Sequence, residues 1–420
     1  MSSNPETTID FREAPATEGL LGTGSWETTT VEEVVRRLLD IAFEMNASDL
    51  FLSSEWDYVA VTARVLGAIT PVAKLPADYG RRCIQHVRTM GGLRFDGRRS
   101  VLDGRWLYVN PGRGIAADLR LNSIPTLHGE TLGIRLLARD SHLQALSELG
   151  FVGPQTDLVD AILLRSSGLV LVVGPSGSGK TTTMYAFLHA LNTGRVKIHS
   201  IEDPIEYAVP GLHQSQVDEV HGPTSAELLQ AILRQAPDVI MVGEVRNLST
   251  AEIVVRAANS GHLVFATVHA SVAVKAIQSM LGLGVAPYFL ASSLVAVIGQ
   301  RLMRRLSPER RVPVNLSGLP HAFADVADYL GDEEGQLVYA APDDGSGTGY
   351  AGQTGAFEIL NVTPTVRRMI REQQPAETLF AQARREGMLD LRGAALLKVA
   401  RGETSFDEMA RVIPADDDGD

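Results

Sequence analysis

Cysteine is nearly absent from this 420-residue chain, where Cys83 stands alone. One thiol cannot build a disulfide framework or a four-cysteine metal site within a chain, so Cys83 reads as a buried filler residue. Aromatic residues make up only 6%, and 38 Lys and Arg face 50 Asp and Glu, for a formal net charge of −12. Tracking a nucleic-acid backbone rests on clustered positive charge, and single-strand binding adds aromatic platforms. The acidic balance argues mildly against such a partner, although a local basic patch is compatible with it, and the aromatic-plus-basic groove pattern is absent, so no nucleic-acid partner is expected. The opening "MSSNPETTIDFREAP" lacks the apolar stretch of a signal peptide. The most membrane-like run, "PYFLASSLVAVIG", is well short of the roughly 18–20 residues a spanning helix needs. The expectation is a cytoplasmic chain that touches a membrane only through partners.

What is present suggests two folded domains. Residues 1–28 are polar and are expected to be poorly ordered. Thr30 and Glu33 then suit a capping box, with Val31, Val34, Val35, Leu38, Leu39 and Ala42 forming one helical stripe. Alternating segments such as "DYVAVTARVLGAI" and "GRWLYVN" flank a helix around "ADYGRRCIQHVRTMGG", which predicts a small α+β domain over 29–138. A linker over 139–150 leads to a domain over 151–413, with an insert at 307–355 rich in Pro, Gly and acid, and an acidic tail at 414–420. In this second domain "GLVLVV", "VKIHSI", "DVIMV" and "HLVFATV" alternate with helical segments. Their near-continuous apolar character predicts a mostly parallel sheet covered on both faces, an α/β core.

The strongest motif is "GPSGSGKT", spanning Gly174, Pro175, Ser176, Gly177, Ser178, Gly179, Lys180 and Thr181, followed by Thr182. It fits the phosphate-binding pattern G-x-x-x-x-G-K-[ST] between a strand and a helix. Glycines let backbone N–H groups approach phosphate oxygens, and the helix N-terminus favours negative charge. Lys180 is expected on the β- and γ-phosphates of ATP, and Thr181 on Mg²⁺.

Carboxylates follow at predicted strand ends. "IEDPIEY" supplies Glu202, Asp203 and Glu206, and "DVIMVGEVRN" supplies Glu244. Parallel strands end at the edge where ligands bind, so one acid can orient water while another serves the metal. "GHLVFATVHA" brings Thr267 and His269 to the same edge, where His269 can sense a γ-phosphate. Phosphoryl transfer also calls for positive charge beyond the loop lysine, and the small domain offers Arg120 and Arg135 in "ADLRLNSIPTLHGETLGIRLLARD".

Taken together these motifs resemble the ATPases of type II secretion and type IV pilus assembly, over nearly the whole chain after residue 30. "ASDLFL", the arginine-bearing "LRLNSIPTLHGETLGIRLL", "SIEDPIEY", "LRQAPDVIMVGEVRN" and "SGHLVFATVHA" are similar to the family's successive boxes. The resemblance implies a RecA-like P-loop core preceded by a smaller α+β domain, in a hexameric ring beneath an inner-membrane platform. It implies that Glu206 polarises water, Glu244 serves the magnesium site with Thr181, and His269 reports on the γ-phosphate. It raises Arg120 and Arg135 to catalytic candidates, and places Arg234 and Arg246 near the nucleotide or a subunit contact. The C-terminal "GTGYAGQTGAFEILNVTP" and "REGMLDLRGAALLKVARGETSFDEMARV" look like the assembly branch. The implied function is an ATP-hydrolysing motor whose domain motion powers secretion or pilus assembly.

The sequence departs from the family at three places. Ser307, Arg310, Pro342 and Gly345 stand where paired thiols often hold zinc, so no zinc is expected. Asn247 replaces the acid that usually ends its box, and Ser271 and Val272 follow the last His segment. The long N-terminal extension of many relatives is not seen. Other readings are a pilus-retraction or type IV secretion-type motor and, in a different class, a RecA-like nucleic-acid translocase.

Overall fold

The computed structural model describes residues 28–93, 100–138, 143–219, 221–314, 322–331, 334–342 and 349–413. Residues 1–27 of the opening segment, the acidic tail 414–420 and Gly345 lie outside them. The chain forms two compact units, 1–141 and 142–420.

The first unit is a six-stranded antiparallel sheet with two helices on one face. Its elements are α1 (Val31–Glu44), β1 (Asp49–Ser54), β2 (Tyr58–Val65), β3 (Ala68–Pro76), α2 (Ala77–Met90), β4 (Leu102–Asn110), β5 (Ile115–Thr126) and β6 (Gly129–Ala138). The strand order is β3-β2-β1-β6-β5-β4. Helix α1 begins where Thr30 Oγ1 accepts the Glu33 N–H at 3.2 Å. Only that half of the expected box is seen, because the Glu33 carboxylate takes Arg37 one turn on. Val34, Val35, Leu38 and Leu39 then bury against Leu50, Leu52, Val59 and Val61 of the sheet. Cys83 is buried on α2, and burial pushes its thiol up to about 12, far from a reactive thiolate.

The second unit carries α3 (Gln155–Leu163), β7 (Gly168–Val173), α4 (Lys180–Leu191), β8 (Ile198–Glu202), β9 (His213–Gln216), α5 (Ser225–Leu233), β10 (Val239–Val242), α6 (Leu248–Asn259) and β11 (Leu263–Thr267). It continues with α7 (Ala273–Gly282), α8 (Pro287–Ser293), β12 (Leu294–Leu306), β13 (Val312–Val314), β14 (Val338–Ala340) and β15 (Tyr350–Asn361). Four helices close it: α9 (Pro364–Arg371), α10 (Ala376–Arg385), α11 (Leu391–Ala400) and α12 (Phe406–Val412). The main sheet runs β15-β12-β7-β11-β10-β8-β9, parallel throughout except for β15 at one edge. Every residue of β7, β8, β10 and β11 is buried, as a sheet covered on both faces requires.

Two segments differ from their sequence reading. The run "PYFLASSLVAVIG" is divided between the short helix α8 and the start of β12. Among the described residues no helix is long and apolar enough to cross a membrane. The insert read as 307–355 contains the small β13–β14 pair, but from Tyr350 the chain is already in β15 and paired with β12. Ser307 N–H donates to the Gly349 carbonyl, and the Ser307 carbonyl accepts from Arg310 and Arg311, which closes a turn.

A buried carboxyl joins β15 to two helices. Glu358 lies opposite Gly299 of β12, where a Cβ would fall 2.5 Å from Glu358 Oε1. That oxygen accepts the Ala273 N–H at the start of α7, and the Leu391 N–H at the start of α11 also reaches the carboxyl. Burial pushes the Glu358 carboxyl up to about 7; Asp390 adds to the rise, while the Ala273 and Leu391 N–H groups and Arg301 oppose it. The proton is therefore held more tightly in the folded chain than in the unfolded one. The stability this contributes is fully present below the ordinary carboxyl value and is lost as pH rises through about 7. The loss is about 3 kcal/mol for a shift of that size. Urea unfolding at pH 5 and pH 8 should show this loss in the wild type and its absence in Glu358→Gln; equal pH dependence in both would disprove the assignment.

Candidate functional site

The site starts where β7 stops. Gly174 takes a φ of +151°, and a Cβ there would lie 2.5 Å from the Gln300 carbonyl oxygen, so only glycine lets the chain turn off the strand so close to β12. Gly179 caps α4 in the left-handed region at φ +87° and aims the helix start at the loop. Lys180 Nζ curls back to donate to the carbonyls of Gly174 and Pro175, each at 2.9 Å. Burial lowers the Lys180 ammonium from its ordinary value; Glu244 opposes that and Arg301 adds to it. Ser178 turns inward, and its buried hydroxyl has no hydrogen-bond partner among the described residues.

Three further strand ends converge on the same pocket. Gly174, Ser176, Lys180 and Thr181 line one side. Asp203 and Glu206 follow β8, Glu244 and Arg246 follow β10, and Thr267 and His269 close β11. Of the loop residues named from sequence, Pro175, Gly177, Ser178, Gly179 and Thr182 are not among the lining residues, and Thr182 is exposed on the first turn of α4. The Thr267 hydroxyl donates to the Gly243 carbonyl, and Val245 N–H donates to the Thr267 carbonyl at 2.8 Å. These bonds tie the tips of β10 and β11 together.

The acids grouped by sequence separate in the structure. Glu202 is buried and already engaged: Ser200 Oγ donates to Oε1 at 2.5 Å, Gln214 Nε2 at 3.0 Å, and the Tyr185 hydroxyl to Oε2. It is held within the sheet by these bonds while still lining the pocket beside Asp203 and Glu206. Arg246 Nε donates to Glu244 Oε2 at 2.6 Å and Nη1 to Asp203 Oδ2 at 3.1 Å. One guanidinium therefore spans the acids after β8 and β10, and the Glu244 hydrogen bond raises the Arg246 pKa most. Arg234, at the end of α5, donates to its own helix at the Gln230 carbonyl and is not among the lining residues.

Asn247 has a structural task of its own. It is the N-cap of α6, where Oδ1 accepts from Thr250 N–H at 3.0 Å and from Ser249 Oγ at 2.8 Å. Asn and Asp cap equally well, so this departure leaves the helix start intact. The sequence reading missed Gln300 and Arg301 of β12. Gln300 Nε2 donates to the Ser178 carbonyl at 2.6 Å, and Arg301 Nη1 to the Ser271 carbonyl at 2.7 Å.

Arg120 and Arg135 belong to the first unit, and all the pocket residues belong to the second. Register places them in a row of charge across five strands: Arg64 opposite Asp49, Asp49 opposite Arg135, Arg135 opposite Arg120, and Arg120 opposite Arg105. Like charges facing each other destabilise a sheet. Two acids offset this, as Asp49 pairs with Arg135 at 3.2 Å and with Arg64 at 3.7 Å, and Asp118 takes Arg105 at 2.6 Å.

Comparisons with known proteins identify a family. A family model described as "Type II/IV secretion system protein" matches residues 25–411. The type IV pilus assembly ATPase PilB of Pseudomonas aeruginosa is 36% identical over 392 residues, covering 92% of this chain and 68% of that protein. Type II secretion system protein E of Klebsiella pneumoniae is 36% identical over 404 residues, covering 95% and 79%. Across eight curated relatives the chain spans from 46% to 81% of their length. Among solved structures, the ATPase DotB of Legionella pneumophila aligns with a TM-score of 0.66 at 20% identity, covering 91% of this chain and 96% of that one, a likeness of fold. Matched by the family model over most of its length, the chain belongs to the type II/IV secretion system protein family.

Proposed function

We propose that this chain binds and hydrolyses ATP in the pocket at the ends of β7, β8, β10 and β11, and that the energy drives a type II secretion or type IV pilus assembly machine. The observation that carries this reading is the convergence of Lys180, Thr181, Glu206, Glu244 and His269 on one pocket. The close approach at Gly174 and the Lys180 ammonium lying over the loop carbonyls fit a phosphate chain. Lys180 exchanges those carbonyls for β- and γ-phosphate oxygens. Glu206 orients and polarises water, and His269 contacts the γ-phosphate. Among the described residues no cluster of three or more His, Cys, Asp or Glu side chains is arranged to hold a metal. A magnesium ion, held by Thr181 and Glu244, would instead complete its shell with phosphate oxygens and water, and it supplies charge neutralisation on the phosphates. The family resemblance makes Arg120 and Arg135 of the first unit the candidates for further positive charge.

The names of the relatives support a place in a secretion or pilus assembly machine, and the ring and its membrane partner follow from the family resemblance alone. The chain works as a homohexameric ring on the cytoplasmic face of the inner membrane, gripping a membrane platform protein and other parts of the assembly machine. Sedimentation with a non-hydrolysable ATP analogue should give a six-subunit species; a monomer at all concentrations would count against the ring.

Two substitutions separate binding from chemistry. Lys180→Ala should abolish binding of a fluorescent ATP analogue. Glu206→Gln should retain that binding while steady-state turnover drops by about 10²–10⁴-fold, the range for losing a general base. Turnover within severalfold of wild type in the Glu206 variant would refute its role.

A further inference from the structure

Gln300 and Arg301 are successive residues of β12, so their side chains leave the sheet on opposite faces. Strand β12 is paired on both sides, to β7 and to β15, and both residues are almost wholly buried. Gln300 reaches under the phosphate loop. Its Nε2 donates to the Ser178 carbonyl at 2.6 Å, and its own carbonyl lies where a Cβ on Gly174 would fall. Arg301 reaches the other wall of the pocket, donating to the Ser271 carbonyl, two residues past His269, at 2.7 Å. The same Nη1 lies 3.2 Å from the Gln300 carbonyl. One short path therefore runs from Ser178 through Gln300 and Arg301 to Ser271.

A buried guanidinium is costly, and an apolar residue of similar volume is often as stable or more so. What the arginine adds is a fixed position for the segment that presents His269. We propose that Gln300 and Arg301 are positioning residues, Gln300 for the phosphate loop and Arg301 for the His269 segment, and that together they set the distance between the two walls of the pocket. The inference rests on the ATP-hydrolysing reading of that pocket.

The two residues should separate in kinetics. In the full chain, Gln300→Leu removes one hydrogen bond to the loop and should weaken binding of a fluorescent ATP analogue by about 5- to 10-fold, the effect of one such bond, with kcat within threefold. Arg301→Gln should leave analogue binding within about twofold and lower kcat by about 10-fold or more, the scale of a misplaced catalytic group. Arg301→Lys, which keeps the charge and a donor, should recover part of the lost kcat and carries the test if Arg301→Gln does not fold. Arg305→Ala, on the same strand and exposed, serves as a control at wild-type values. A purely structural role would lower the thermal midpoint while Kd and kcat of the folded protein stayed at wild type, and that result overturns the proposal. Wild-type protein that neither binds nor hydrolyses ATP would overturn the functional reading and this inference with it; active wild type with unaffected folded variants overturns the inference alone.

Discussion

Burial on both faces of the central sheet governs where polar chemistry can occur in the second unit. Strands β7, β8, β10 and β11 have no exposed residue, and their side chains are mostly apolar; of the polar ones on β8, Glu202 is fully hydrogen-bonded, while His199 stacks on His213 with its Nε2 unpaired among the described residues. Apart from Glu202, the carboxylates and the ammonium group of the pocket come only once each strand has ended. Because the strands are parallel, those ends lie along one edge, and the residues that follow them meet there. The constraint that keeps the core dry thus also concentrates Lys180, Asp203, Glu206, Glu244 and His269 in one pocket.

Concentrating acids at one edge creates its own electrostatic problem. Asp203 and Glu244 follow neighbouring strands and would repel each other without a cation. Arg246 bridges them through two hydrogen bonds, from an exposed position where water also screens the charges. It holds the tips of β8 and β10 at a fixed spacing. On the first unit the same difficulty appears with opposite sign. There Asp49 and Asp118 offset four arginines aligned across strands β2, β6, β5 and β4.

How much of this was legible in the sequence depended on range. The phosphate loop and the strand-end acids could be read because a strand, its end and the next helix lie within about a dozen residues, where apolar runs and glycines speak directly. The capping role of Asn247 is equally local, because its side chain meets the N–H of Thr250 three residues on. Glu202 could not be told from Asp203 in "IEDPIEY", since its fate is decided by Tyr185 and Gln214 at some distance along the chain. Gln300 and Arg301 were hidden further still, for Gln300 meets Ser178 across 122 positions. Their signal is two polar residues directly after the apolar run that ends at Gly299, and nothing local tells a buried pair there from an exposed one. The arginine row was visible as single residues, but its alignment required the strand register.

The contacts around His269 show why the departures from the family pattern at 271 and 272 are compatible with an intact pocket. Arg301 holds this segment through the Ser271 carbonyl, and Glu358 holds it through the Ala273 N–H. Both are bonds to the backbone, which every residue type except proline presents in full. A change of side chain at Ser271 or Val272 therefore leaves the path of the chain fixed, provided Arg301 and Glu358 remain. Positional precision in this part of the site resides in the buried strands β12 and β15, and the residues they support are free to vary.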